Sequence, residues 1–387
     1  MTTGPVIDAL KLTRGYLGSG SDSYSAGLYC TVSKTTLSNL EICSNRVAVG
    51  CGGRYGIALK LMSSDNLVTD CYFHDNTNST AGDAYLQTVQ ISGDRNLVRN
   101  CLFVRNSAQE EAGLRLTGSN AKGQGAIVNC AFTGNTVRTG AILTVGRNPG
   151  APVVNVLIAN NHSESGYNAS NYLAWLGGNS ADANKGYFVN ITVAENYDTT
   201  PPSPENPGVY LYGESGVNGA RQSFVMNAVF KNNHGIADGG VTNAGTGWIV
   251  YSLADDALPN IGTLQSNLTG SAVFRFGSYE LMYGSPGVNS GGYVLSSSRG
   301  GKSFKYLDVN RNNSYDICLD VIVWAEAGFT FNPPLSGSDF DIVATNALGS
   351  WDANGLYREG NSRIIGGTID MGAYESKPPS GTVVYFK

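Results

Sequence analysis

The chain has 387 residues, a net charge of −5 and 14% charged residues, well under the ~25% of an ordinary domain. Lys and Arg form no cluster, which argues against a nucleic-acid or anionic-membrane partner. No apolar run approaches the ~18 residues of a membrane span, so direct membrane insertion is not expected.

The first element already belongs to a repeat. Leu12 and Gly15 fall 30 residues before Ile42 and Asn45, which makes residues 6–15 a degenerate first copy. The full pattern then occurs seven times: Asn or Asp, two residues, an apolar residue, two residues, Asn. It starts at Asn39, Asp70, Asn100, Asn129, Asn155, Asn190 and Asn227 and closes at Asn45, Asn76, Asn106, Asn135, Asn161, Asn196 and Asn233. Ile42, Phe73, Phe103, Phe132, Ile158, Val193 and Phe230 stand at its centre. Starting points are 31, 30, 29, 26, 35 and 37 residues apart, a period that signals a solenoid.

Each copy alternates apolar and polar residues and then turns, a strand signature. A second strand-like run follows and stops at Gly, as at Gly93, Gly118 and Gly146. Short strands without a helical period match the coil of a right-handed parallel β-helix, in which equivalent residues stack ~4.8 Å apart. Cys71, Cys101 and Cys130 share one repeat position with Leu40, Val156, Ile191 and Ala228, so that column faces the core. The closing Asn column is assigned to the turn, because Asn accepts left-handed backbone angles and stacked amides can pair from coil to coil. The fold expected is all-β, with the helix over residues 1–240, a non-repeating β region over 241–376, and a linker or further element over 377–387.

Aligning the glycines that end the second strands turns Leu61, Ile91, Leu116, Val145 and Leu176 inward. Lys60, Gln90, Arg115, Thr144 and Trp175 then form one outward column. Such a column suits a glycan, with Trp175 stacking on a sugar ring and the cations meeting carboxylates, Gln90 and Thr144 adding polar contacts. It equally suits a solvated sheet face. A polysaccharide lyase needs a base and a cation at a uronate, which singles out Arg115, Lys60 and Glu111 beside Glu110 as catalytic candidates. A glycosidase needs two carboxylates ~5–9.5 Å apart, and no acidic pair recurs in adjacent coils. His162 and His234 each follow a closing Asn, with Tyr197 in the coil between, and read as turn residues.

Seven Cys occur, none in a C-x-x-C spacing. Cys71, Cys101 and Cys130 read as core thiols, and Cys30, Cys43 and Cys51 lie in neighbouring turns where one disulfide can form.

After residue 240 the Asn pattern ends. Residues 308–320, DVNRNNSYDICLD, place Asp308, Asn310, Asn312 and Asp316 at loop positions one, three, five and nine. Alternating oxygen side chains suit Ca²⁺, and the stretch resembles the calcium loops of bacterial surface proteins, with Asn313 where Gly is usual and Leu319 where an acid is. An Asn-rich turn without a metal has the same appearance.

Two stretches carry a family resemblance. Residues 279–292, YELMYGSPGVNSGG, and residues 360–375, GNSRIIGGTIDMGAYE, resemble segments of bacterial pectate-lyase-like β-helix proteins with a choice-of-anchor Q domain. Asn289 and Ser362 depart from the usual Asp and Pro, 67 residues that include a long unrelated insertion separate the segments, and the pectate lyase Arg-x-Pro-x-x-Arg pattern is absent. The resemblance implies an extracellular or cell-surface bacterial protein. It leaves open whether a polysaccharide is cleaved or bound, or whether the solenoid is an adhesin or spacer module. No signal peptide follows Met1, yet the repeat begins almost at once, and residues 377–381 read as a linker. Both suggest flanking domains in a longer protein.

Overall fold

The computed structural model describes residues 4–18, 24–48, 55–78, 86–118, 125–146, 152–164, 174–177, 186–198, 209–211 and 222–233, and shorter pieces between 241 and 325. These residues form a parallel β-helix. Early coils lay down two short strands of a first sheet, a two-residue strand of a second and a longer strand of a third, and in later coils the first two merge into one, as in Pro152–Ala159 and Gly186–Ala194. One coil comprises Leu67–Thr69 and Tyr72–His74, then Thr77–Asn78, then Leu86–Ser92. Each pairs in parallel with its equivalents one coil before and after.

The central apolar residues point into the lumen and stack. Phe73, Phe103 and Phe132 are fully buried, with ring centroids 5.0 and 4.6 Å apart. Cys71, Cys101 and Cys130 line the same core as free thiols; contact with its thiol neighbour and burial push Cys71 well above the ordinary thiol range. Cys30 and Cys43 are free thiols as well, while Cys51 lies outside the described residues.

The bends correct one detail of the sequence reading. The closing Asn does not take the left-handed angle; the residue before it does, with φ of 55° at Ser44, 54° at Asp75, 50° at Arg105 and 56° at Glu195. The opening Asn or Asp is left-handed too, from 51° at Asn39 to 56° at Asp70. The left-handed residue turns the chain so that the closing Asn side chain enters the lumen. There Asn76 Nδ2 donates to Asn106 Oδ1 at 2.9 Å, Asn106 to Asn135 at 3.1 Å and Asn135 to Asn161 at 3.0 Å. The second amide hydrogen goes to a backbone carbonyl of the preceding coil, as from Asn106 to Phe73 O at 2.9 Å. The backbone N–H of each Asn also donates to the next Oδ1. The side-chain polar atoms of the ladder residues Asn76, Asn106 and Asn135 are thereby all paired. A second, shorter ladder runs from Thr35 through Asn66 to Asn96 at the turn entering the first sheet.

Parallel pairing continues past residue 240. Thr246–Val250 pairs with Gln222–Met226, Leu253–Ala254 with Val229–Lys231, and Leu264–Gln265 and Leu268–Thr269 follow. Buried Ser252 accepts from Ala228 N at 3.2 Å, so stacking outlasts the Asn pattern. An antiparallel group follows: Val294–Arg299, Lys302–Leu307 and Val321–Ala325. Residues from the stretch after 270 lie against the outside of the first sheet. Asn160 donates to Tyr279 Oη, Tyr279 donates to Glu195 Oε2 at 3.1 Å, and Lys231 donates to Ala272 O. Tyr279 packs there against Ala131, Leu157 and Ala159.

Candidate functional site

The register of the third sheet places Lys60, Gln90, Arg115, Thr144 and Trp175 at one position on successive strands. Tyr29 precedes them and Tyr210 follows. The alternate residues Leu61, Ile91, Leu116 and Val145 are core, as their spacing implies. The side chains of Trp175 and Leu176 lie outside the described residues.

The column is not a solvated face. Lys60 is 4% exposed, Gln90 5% and Thr144 6%. In-register side chains ~4.8 Å apart cover one another's stems. Arg115 and, beside the column, Glu110 keep 24% and 21% side-chain exposure, and Tyr29 at the start of the column is 41% exposed.

A register shift builds the charged part of this site. Between Gln87 and Val89 the neighbouring strands spend one residue more, from Gly56 to Leu59 and from Glu111 to Leu114. Bulges of this kind re-aim side chains. Gly113 sits inside the second bulge, where a Cβ would lie 2.5 Å from Phe132 Cδ1 and from Ile142 O, so no larger residue fits without displacing the core. The result brings Arg115 Nη1 to 3.2 Å from Glu110 Oε2 and 3.3 Å from Glu111 Oε1. Gln87, paired in register with Glu111, donates to Glu110 Oε2 at 2.8 Å.

Glu111 is buried, and desolvation pushes its carboxyl up to about 7. The Arg115 charge opposes the shift, the Glu110 charge adds to it, and contacts to Thr144 and Gln87 again oppose it. A carboxyl so placed exchanges a proton near neutrality. On the same coil and the preceding one, Glu111 Oε2, Gln87 Oε1, Gln90 Oε1, Gln109 Oε1 and Thr88 Oγ1 are buried without a hydrogen-bond partner among the described residues. Native proteins leave few such atoms, and all five accept hydrogen bonds. Gln87, Thr88 and Gln109 escaped the sequence reading because nothing in a Gln or Thr at a strand end tells a lining residue from a surface one.

The remaining candidates lie elsewhere. Asp308, Asn310, Asn312 and Asp316 fall outside the described residues. Asn313, beside them, has φ of 60°, the left-handed angle for which such a loop ordinarily uses Gly. The strands on either side pair antiparallel, Leu307 with Val321. His162 and Tyr197 stack in adjacent coils at 4.3 Å on the second sheet; His234 is outside the described residues.

Fold and pairing thus define a parallel β-helix protein with a buried carboxyl, Glu111, beside a partly exposed guanidinium on its third sheet. Residues 19–161 match the family model described as "Right handed beta helix region", which supplies the hand of the solenoid. Neither the curated proteins nor the solved structures gave a significant match.

Proposed function

We propose that this is an extracellular or cell-surface β-helix protein that binds and cleaves a polysaccharide at the third sheet, by uronate β-elimination. The observation that carries the reading is the Glu111 carboxyl, raised to about 7 and 3.3 Å from the Arg115 guanidinium, with Glu111 Oε2 buried and without a hydrogen-bond partner among the described residues. Glu111 in its ionised form takes the proton at C5, and the electron pair left behind forms the C4–C5 double bond as the C4–O4 bond breaks. The departing oxygen takes its proton from water, after which Glu111 returns its own to solvent. Arg115, with Lys60 two strands away in the same column, balances the uronate carboxylate as charge develops on it. Sugar hydroxyls donate to Gln90, Thr144 adds a hydroxyl, and Trp175, whose strand position continues the column, is the residue proposed to stack on a sugar ring. Arg115 and Glu110 are the members open to solvent, so substrate enters there and displaces part of the Arg115–Glu110 pairing. The net charge of −5 favours a sparsely charged glycan over a polyanion.

A glycan-array screen followed by an absorbance assay for unsaturated uronates tests this. Wild type should bind and release product, Arg115→Ala and Trp175→Ala should weaken binding, and Glu111→Gln should lose turnover by ~100-fold or more while still binding. Wild type that neither binds nor cleaves uronate or neutral polysaccharides would leave a spacer or adhesin module, a role suited to the continuous Asn ladder. We also propose that Asp308, Asn310, Asn312 and Asp316 hold one Ca²⁺. Calcium then raises the melting temperature through binding to the folded state; equal melting curves in calcium and in chelator would remove the idea.

A further inference from the structure

The outer face of the first sheet carries a second polar group, on the coils that precede Leu102. Glu41 and Cys43 stand two residues apart on the strand Glu41–Cys43 and therefore share a face. His74 is the register partner of Cys43 on the next coil. Their ligand atoms converge: His74 Nε2 lies 3.1 Å and Cys43 Sγ 3.7 Å from Glu41 Oε1, and all three atoms fall within 4.8 Å of one another. A tetrahedral ion with Zn–N of ~2.0 Å and Zn–S of ~2.3 Å needs ligand separations of about 3.3–3.7 Å, so small side-chain adjustments suffice.

The imidazole is already oriented for such a role. His74 Nδ1 meets Asp75 Oδ2 at 2.6 Å, which turns Nε2 toward Glu41. Asp75 is fixed in turn by Arg105 Nε and Nη2, each at 2.8 Å, and Tyr72 stacks on the ring at 4.1 Å. A carboxylate behind a ligating imidazole is the usual outer partner of a metal-bound His. Cys43 is 3% exposed although its side chain is on the outer face, while Glu41 remains half-open.

We infer that Cys43 Sγ, His74 Nε2 and a Glu41 carboxylate oxygen form a site for a thiolate-accepting divalent transition metal of the Zn²⁺ class, with a fourth position open to water. Soft sulfur with imidazole and one carboxylate selects Zn²⁺ over Ca²⁺ or Mg²⁺. Binding deprotonates Cys43; the thiol proton leaves to solvent, and the thiolate and carboxylate together neutralise the ion. Lys11 Nζ, 2.6 Å from Glu41 Oε1, yields that oxygen to the metal. The site lies on a different sheet from Glu111 and is independent of the function proposed above.

The test uses Co²⁺ as a spectroscopic substitute on the full chain after chelator treatment. One equivalent should bind, giving intense visible d–d bands of tetrahedral coordination and a near-ultraviolet thiolate-to-cobalt band, and Zn²⁺ should displace it. Cys43→Ser should abolish the thiolate band, His74→Asn should weaken binding by more than 10-fold, and Asp75→Asn by ~10-fold. No saturable cobalt spectrum, or a thiolate band unchanged in Cys43→Ser, would overturn the inference. Should Cys43→Ser fail to fold, an unchanged cobalt affinity in His74→Asn overturns it equally.

Discussion

Replacing Asn106 by Ala should cost the fold about 3 kcal/mol, and the structure shows where that figure arises. Asn106 is 1% exposed and its amide makes four ladder bonds. It donates to Phe73 O at 2.9 Å and to Asn135 Oδ1 at 3.1 Å, and accepts from Asn76 N at 3.1 Å and Asn76 Nδ2 at 2.9 Å. Ala removes all four, but the damage is uneven. Asn135 Oδ1 keeps the Asn106 backbone N–H at 3.0 Å, and Asn76 Nδ2 keeps Ile42 O at 2.9 Å. The Asn76 backbone N–H is left with no acceptor in a dry bend, at ~1–3 kcal/mol, and the lost net bonds add ~1 kcal/mol. With a urea m-value of ~3 kcal/mol/M, the midpoint should fall by about 1 M, read by far-ultraviolet circular dichroism. Asn106→Asp should be at least as costly, since it turns a donor into a second acceptor facing Asn135 Oδ1. A midpoint within ~0.2 M of wild type for Asn106→Ala would mean that water repairs the bend, and the ladder would then be a consequence of stacking and not a support for it.

Two further outcomes follow from the backbone and the buried charge. Ser44 is exposed with φ of 55°, so Ser44→Gly should be neutral or stabilising by up to ~1 kcal/mol, whereas Asn45→Gly should be destabilising by several times that amount; equal effects in urea melts would return the left-handed angle to the closing Asn. Glu111 has its carboxyl raised above its ordinary value of 4.5 to about 7, so the native state binds more protons than the unfolded state between those values. Stability should therefore fall as pH rises through that window, by on the order of 3 kcal/mol, and level off above ~8. Glu111→Gln should lack this decline and be the more stable protein at pH 8; identical pH profiles would show that Glu111 is not desolvated.

The sequence carries the coil plainly because three kinds of column repeat in it. Phe73, Phe103 and Phe132 stack as their spacing requires, the thiols of Cys71, Cys101 and Cys130 share the core, and the closing Asn residues form the ladder. The position of the left-handed residue was not legible. Ser44, Arg105 and Glu195 have no preference for that angle; they adopt it because the inward amide after them must reach the next coil, a requirement that exists only once coils are stacked. The Thr35–Asn66–Asn96 ladder escaped notice for a related reason, having two Asn residues and no repeat long enough to stand out. The end of the stack was masked in the opposite sense, since Ser252, Leu253 and Leu268 keep the pairing going without the Asn that announces it.

The column on the third sheet was legible to the residue, and its environment was not. Glycine-aligned alternation gives Lys60, Gln90, Arg115 and Thr144 as neighbours, but alternation cannot say whether a column of long side chains stands in water or closes on itself. Nor does it show a bulge, which adds one residue without interrupting the strand: on a flat count Glu111 and Arg115 share a face two pleats apart, as any such pair would. The extra residue between Glu111 and Leu114, permitted by Gly113 against Phe132, is what brings both Glu110 and Glu111 onto one guanidinium and strips water from Glu111. A carboxyl held at that cost requires a support that does not relax around it. The ladder and the stacked Phe column supply it, because each fixes the strand spacing behind the site by contacts to the coils above and below. The proposed chemistry of the third sheet therefore rests on the same repeat that makes the fold readable, and the strand that carries it departs from that repeat at the extra residue between Glu111 and Leu114, as the strand Tyr55–Met62 does between Gly56 and Leu59.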